Sequence, residues 1–424
     1  MRRRSLAAIL LSLSLSASAA SVATPAAATD RAYRAVVSAN PVNNTPHVLN
    51  GTVWALTQVG DTIVVGGSFT KVTDASGKRT YARRNIFAYG LRDGAIRSFA
   101  PSVDGSVYAL ATGRGGTVYI GGSFRRVNGA AQRGVAQLRL SDGARMSTFR
   151  AYINWGDVRT LHVQGGRMYL GGAFSAIRGV RRVALARLDP ATGNVIRSFD
   201  ARLSAPGLAR TRVEHFDVSP DGRRLVAVGA LLKSGSATRT QIVVLNTARG
   251  TAALASWYTT AFQPSCMKGF DTYLRQVKFS PDGRYFVVVS TGRMSSPTRL
   301  CDAAARFETY RSGRVNPTWV QRTGGDSLYA VAVTGSAVYL GGHQRYLDNP
   351  YGTDAKGPGP GAKSRVGIGA VSATTGRALS WNPTRSRGVG VRAFLTTTSG
   401  LIVGSDTDKL GKEYHGRVGM FPIS

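Results

Sequence analysis

Seven positions in this chain carry side chains suited to holding an acidic or ring-shaped ligand: Trp54, Tyr108, Arg159, Glu214, Arg275, Tyr329 and Arg392. Each is the second residue of a strand-like segment: "VWALTQV", "VYALATG", "VRTLHVQ", "VEHFDVS", "LRQVKFS", "LYAVAVT" and "VRAFLTT". Aromatic rings can stack on sugars, and guanidinium groups hold carboxylate or phosphate through paired hydrogen bonds. A structural role remains open for the same residues, with the rings packed between neighbouring elements and Glu214 paired with Arg159 and Arg275.

Other chemistry has little support in the sequence. The histidines (His47, His162, His215, His343, His415) are scattered, with no HExxH or CxxC motif and no GxSxG elbow. No metal and no cofactor is therefore expected. Asp104, Asp157, Asp271 and Asp326 fall in or beside the loops that enter the strand-like segments, close in register to Glu214. Two such carboxylates at a suitable spacing could cleave glycans, by hydrolysis or elimination. Acidic residues at turns also serve simply to form the turn, so the expectation is a binding protein rather than an enzyme.

The elements that must position these residues form a repeat. After each first segment come a tight turn, such as "SPDGR" at 219–223 and 280–284, and a second strand: "TIVVGG", "TVYIGG", "RMYLGG", "RLVAVGA", "YFVVVST", "AVYLGG" or "LIVGS". A loop, a third strand and a fourth segment ending in "SF" or "SW" complete the unit. Recurrence at about 50–63 residues predicts an all-β, seven-bladed β-propeller of four-stranded antiparallel blades, a single domain over residues 29–424. The chain ends on a third strand, "GRVGMFPIS". A segment near residues 33–39, within "RAYRAVVSANP", is therefore expected to supply the missing fourth strand, closing the ring without an open edge. The glycine pairs are read as bulge-permitting positions where blades converge. The phenylalanines after them, Phe69, Phe124 and Phe174, are read as inter-blade packing, with Leu232, Arg293 and Gln344 in their place in later repeats.

The GGxF units, together with "RNIFAY" at 84–89, "RVALARLD" at 182–189 and the closing "SF" or "SW", resemble the delta-type repeats of secreted actinobacterial β-propellers. The resemblance covers about residues 40–424 and is weaker in the fourth and fifth repeats. That family is of unknown function, so it implies a fold and export but no catalytic residues.

The opening "MRRRSLAAILLSLSLSASAASVATPAAATD" reads as a signal peptide within residues 1–28, with cleavage between 19 and 28, and the expected location is extracellular. No later segment is long and apolar enough to span a membrane. In a propeller, the loop entering the first strand and the loop after the second share one face. Cys266 and Cys301 occupy those two loops of the fifth repeat and are expected to form a disulfide there. The longest loops lie on the same face. A formal net charge of +33, carried mostly by arginine, favours polyanionic partners. The expected ligand is an anionic polysaccharide or cell-wall polymer, or else another extracellular protein; nucleic acid is not expected. The chain is expected to be a monomer.

Overall fold

The computed structural model describes residues 30–424 apart from 264–265, 267–268, 293–298, 352–356 and 387. The expected signal peptide lies outside the described residues, as does Arg293. Among the described residues every regular element is a strand. Seven antiparallel sheets share one plan. Their first strands are Thr52–Val59, Val107–Thr112, Asp157–Gln164, Arg212–Val218, Leu274–Phe279, Leu328–Val333 and Ala393–Thr396. In each sheet the second strand lies between the first and the third, as with Thr62–Ser68 between Thr52–Val59 and Ile86–Gly90.

The fourth strand is regular only in the fourth and fifth sheets, as Ala253–Leu254 and Trp319–Arg322. Elsewhere it is reduced to one bridge, such as Tyr89 to Ile96 or Leu188 to Val195. The third strand of the seventh sheet, Val418–Pro422, is instead met by the N-terminal segment: Ser38 N donates to Pro422 O and Val42 N to Met420 O, both at 2.9 Å. This contact runs through residues 38–42, later than the expected 33–39. Tyr33 lies elsewhere, bridging in parallel to Gly335 beside the sixth sheet.

The tight turns follow from their sequence. In "SPDGR" the hydroxyl of Ser219 donates to Asp221 Oδ1 at 2.6 Å, and Gly222 takes φ +68°, a region that costs an L-residue energy. Ser280, Asp282 and Gly283 repeat the arrangement. Among the described residues, short hairpins fill the loop after the second strand in six sheets, for example Lys71–Thr73 with Thr80–Ala82, and the segment entering such a sheet bridges onto its hairpin loop. Entering loop and second loop therefore share a face. In the fifth sheet the same two loops are joined by Cys266–Cys301, with Cα atoms 5.7 Å apart.

The core lies between successive sheets. Val107, Leu110 and Val118 pack against Val64 and Ala88, and the last and first sheets meet in the same way, with Ile402, Val418 and Met420 against Val53, Ile63 and Val65. Val53 N also donates to Ser405 O at 2.9 Å. The glycine pairs make these approaches possible, each member in its own way. A Cβ on the first glycine, Gly66 or Gly121, would stand 2.7 Å from a valine methyl of the neighbouring sheet, and the single Gly404 of the seventh sheet meets Val53 in the same way at 2.6 Å. A Cβ on the second glycine, Gly67, Gly122 or Gly172, would stand 2.0–2.2 Å from a carbonyl oxygen of the first strand or its approach in its own sheet. Phe69, Phe124 and Phe174 are buried as expected, and Gln344 holds the equivalent place. In the fourth sheet the residue in register is Leu231 and not Leu232, because Gly229 faces Val213 as Gly67 faces Val53.

Candidate functional site

The first strands surround one cavity of about 910 Å³, and Trp54, Tyr108, Arg159, Glu214, Arg275, Tyr329 and Arg392 all line it. Their convergence has a local cause. In six of the sheets the pairing of first and second strands slips by one residue between the neighbours of the named side chain: Val53/Ala55, Val107/Ala109, Val158/Thr160, Val213/His215, Leu274/Gln276 and Leu328/Ala330. The extra residue is Trp54, Tyr108, Arg159, Glu214, Arg275 or Tyr329. A bulge leaves that residue out of the ladder and re-aims its side chain. The second glycine of the pair opposes the bulge in the first three and the sixth of these sheets, as Gly229 does in the fourth. Arg392 precedes its strand, and its N–H donates to Gly404 O at 2.9 Å.

One side of the mouth is an ion-pair cluster. Glu214 accepts from Arg159 Nη1 through Oε2 and from Arg212 Nε through Oε1, each at 2.6 Å, while Arg275 stands 3.8 Å away. Arg159 also bonds Asp157, at 3.1 Å. Burial alone would raise the Glu214 pKa, but the three guanidinium groups outweigh it and hold the carboxyl below its ordinary range. The other side is aromatic. Trp54 meets Tyr108 edge-on with centroids 5.8 Å apart, and the Arg392 guanidinium lies 3.9 Å from the Tyr329 ring centre and 4.9 Å from that of Trp54. Burial lowers the pKa of both Arg275 and Arg392, and the Nε of each is buried without a hydrogen-bond partner.

The expected pairing of Glu214 with Arg159 and Arg275 is present, and Arg212 joins it. The signal for Arg212 was legible: two residues before Glu214 on one strand, it has the same side of the sheet available to it. The aspartates are not brought into the cavity. Asp104 accepts the backbone N–H of Arg125 and Arg126 at 2.7 and 2.9 Å, Asp326 pairs with Arg345 at 2.8 Å, and neither these nor Asp157 and Asp271 line the cavity.

The same cavity holds a second polar group that the sequence pattern had not singled out. Three residues beyond Arg159, Glu214 and Arg275 stand His162, Asp217 and Lys278. Asp217 is buried; it lies 3.6 Å from His162 Nδ1 and 3.9 Å from Lys278 Nζ, and it accepts the Phe279 N–H at 2.8 Å. Burial opposes both charges, yet their mutual attraction keeps Asp217 below and Lys278 above their ordinary pKa. Asp30, Arg31 and Ala32 also line the cavity. Asp30 accepts the Val333 N–H at 2.7 Å, and burial raises its carboxyl to about 6. No group of three or more His, Cys, Asp or Glu among the described residues is placed to hold a metal ion.

Comparison with known proteins agrees with this architecture. Residues 166–195, from the second strand to the fourth-strand bridge of the third sheet, match a β-propeller domain of unknown function, DUF5122. The chain is an all-β protein of β-propeller type. It is similar in fold to the crystal structure of the computationally designed Ika8 protein, at 11% identity and a TM-score of 0.50. It is likewise similar to the structure of U3-55K, at 12% and 0.55; each alignment covers 91% of this chain and 100% of the other. At such identities the likeness concerns the fold alone. Among curated proteins nothing matches the sequence.

Proposed function

We propose that this protein is an exported, seven-bladed propeller, closed by its N-terminal segment. It serves as a non-enzymatic scaffold that binds an anionic glycan or cell-wall polymer at the mouth of the central cavity. The observation that carries the reading is the uneven charge of that mouth. Glu214 takes its two short bonds from Arg159 and Arg212 and stands 3.8 Å from Arg275, so one carboxylate is shared among three guanidinium groups, and Arg392 adds a further cation beside Trp54, Tyr108 and Tyr329. An acid group from a ligand would pair with the charge that Arg275 and Arg392 present to the cavity. The aromatic rings offer faces for a sugar. The disulfide and the lack of any helix apolar enough to cross a membrane, among the described residues, are compatible with export.

The test is an array of glycans and cell-wall polymers read at two salt concentrations, with release of reducing ends measured in the same wells. A binder retains polyanions reversibly, loses them as salt rises, and releases no product. Release of sugar fragments would instead establish the glycan-cleaving alternative. No retention of any polyanion at low salt, with no product, would leave a protein partner as the remaining class.

A further inference from the structure

Resting on that reading, we propose that the cavity takes the end group of an anionic saccharide end-on. The acid group sits at Arg275 and Arg392, and the hydroxyls meet Lys278, which Asp217 of the inner cluster positions. Three observations converge. The two polar groups line one cavity and are separated by three residues along the same strands, about 10 Å at strand rise. That depth suits a single sugar unit or two. The cluster offers a donor, the part-exposed Lys278, held in place by the buried Asp217, which His162 in turn faces while its Nε2 is bonded to Gln164, all attached to first strands rather than to loops. Such a few polar groups in an otherwise mixed wall are what orient a small ligand, and the volume falls in the usual range for one.

The third observation concerns the far end. Asp30 is bonded to Val333 N, and Tyr33 N donates to Thr334 O at 2.9 Å, both just past the end of the sixth sheet's first strand or on its last residue. Tyr33 OH donates to Gly400 O at 2.8 Å in the seventh sheet. The N-terminal segment thus lines the cavity at the end opposite the bulges, beside the sixth and seventh sheets. A polymer threaded through would have to pass Asp30, Arg31 and Ala32 at that end, whereas a chain terminus entering from the mouth would not. Recognition then reads an acidic end group and is indifferent to the remainder of the polymer outside the mouth.

The experiment is titration calorimetry of the full mature chain with galacturonic acid, tetragalacturonate and polygalacturonate, with glucose 6-phosphate to separate phosphate from carboxylate, and with galactose as the neutral control. The expected result is one site per protein, and affinities that agree within about threefold when expressed per chain end. Galactose should bind at least tenfold more weakly than whichever acid is preferred. Asp217→Asn and Arg275→Ala should each weaken the monosaccharide acid at least tenfold, with circular dichroism and melting checked for each. Should either variant fail to fold, competition in the wild type decides: the monosaccharide acid must displace the tetrasaccharide. If polygalacturonate binds while neither monosaccharide acid binds or displaces it, end-on capture is wrong and the broader binding reading stands. If these acids and every polyanion on the array fail to bind, both fall. If Arg275→Ala weakens the acid but a folded Asp217→Asn does not, the inner cluster has no part in recognition.

Discussion

Replacing Glu214 with glutamine removes one negative charge from a nearly dry site, where its side chain is 7% exposed. Two guanidinium nitrogens at 2.6 Å and a third at 3.8 Å lose their counter-charge. Unit charges about 4 Å apart interact by about 4 kcal/mol at an effective dielectric of 20, so the gross attraction is large. Desolvation of the carboxylate offsets much of it, and breaking a buried pair from one side costs about 3–5 kcal/mol. Glutamine keeps one acceptor oxygen, which places Glu214→Gln at about 3 kcal/mol of lost stability near neutral pH. The pH dependence is the sharper test. Because the folded-state pKa of Glu214 is depressed, its contribution is fully present above the unfolded value of 4.5 and is lost as pH falls through the folded one. Wild type and variant should therefore converge in urea unfolding as the pH is lowered from about 7 to about 3. A difference that stays constant over that range, or a variant as stable as wild type at pH 7, would refute the reasoning.

Asp30→Asn should act in the opposite sense. A carboxyl raised from 3.8 to about 6 by burial penalises the folded state increasingly as pH climbs through that interval, so the variant should be more stable at pH 7 by up to about 3 kcal/mol and near wild type at pH 4 in thermal melts. Gly122→Ala puts a methyl 2.0 Å from Ser106 O at the Tyr108 bulge and should cost about 3 kcal/mol or more in denaturant midpoints; a neutral result would mean the bulge does not depend on glycine. Cys266→Ser with Cys301→Ser opens a loop of 35 residues and should lower stability by about 3–4 kcal/mol, with thiol labelling of the wild type reporting no free cysteine.

The sequence by itself determined the repeat, and with it the ring of candidate residues. A fixed position in a repeated strand falls at a fixed place in each sheet, so Trp54 through Arg392 could be named as a set without coordinates. The cysteine pair was legible for the same reason, since strand direction alone assigns their loops to one face. His162, Asp217 and Lys278 carried an equal signal at the position three residues on, but Thr57, Ala111, Ala332 and Leu395 at that position in other repeats diluted it.

Only the tertiary structure decided how the charges are shared. That Arg212 takes an oxygen of Glu214 and leaves Arg275 at 3.8 Å, or that Arg392 lies over Tyr329, depends on side-chain directions set by bulges and by which sheets touch. It also decided that Asp30 reaches a cavity built from residues that begin more than twenty positions later and extend to Thr396. The path of the N-terminal segment follows from the contacts it finds between the sixth and seventh sheets. Periodicity identifies residues that share an environment; distances between unlike partners, distant along the chain, arise only when the sheets pack.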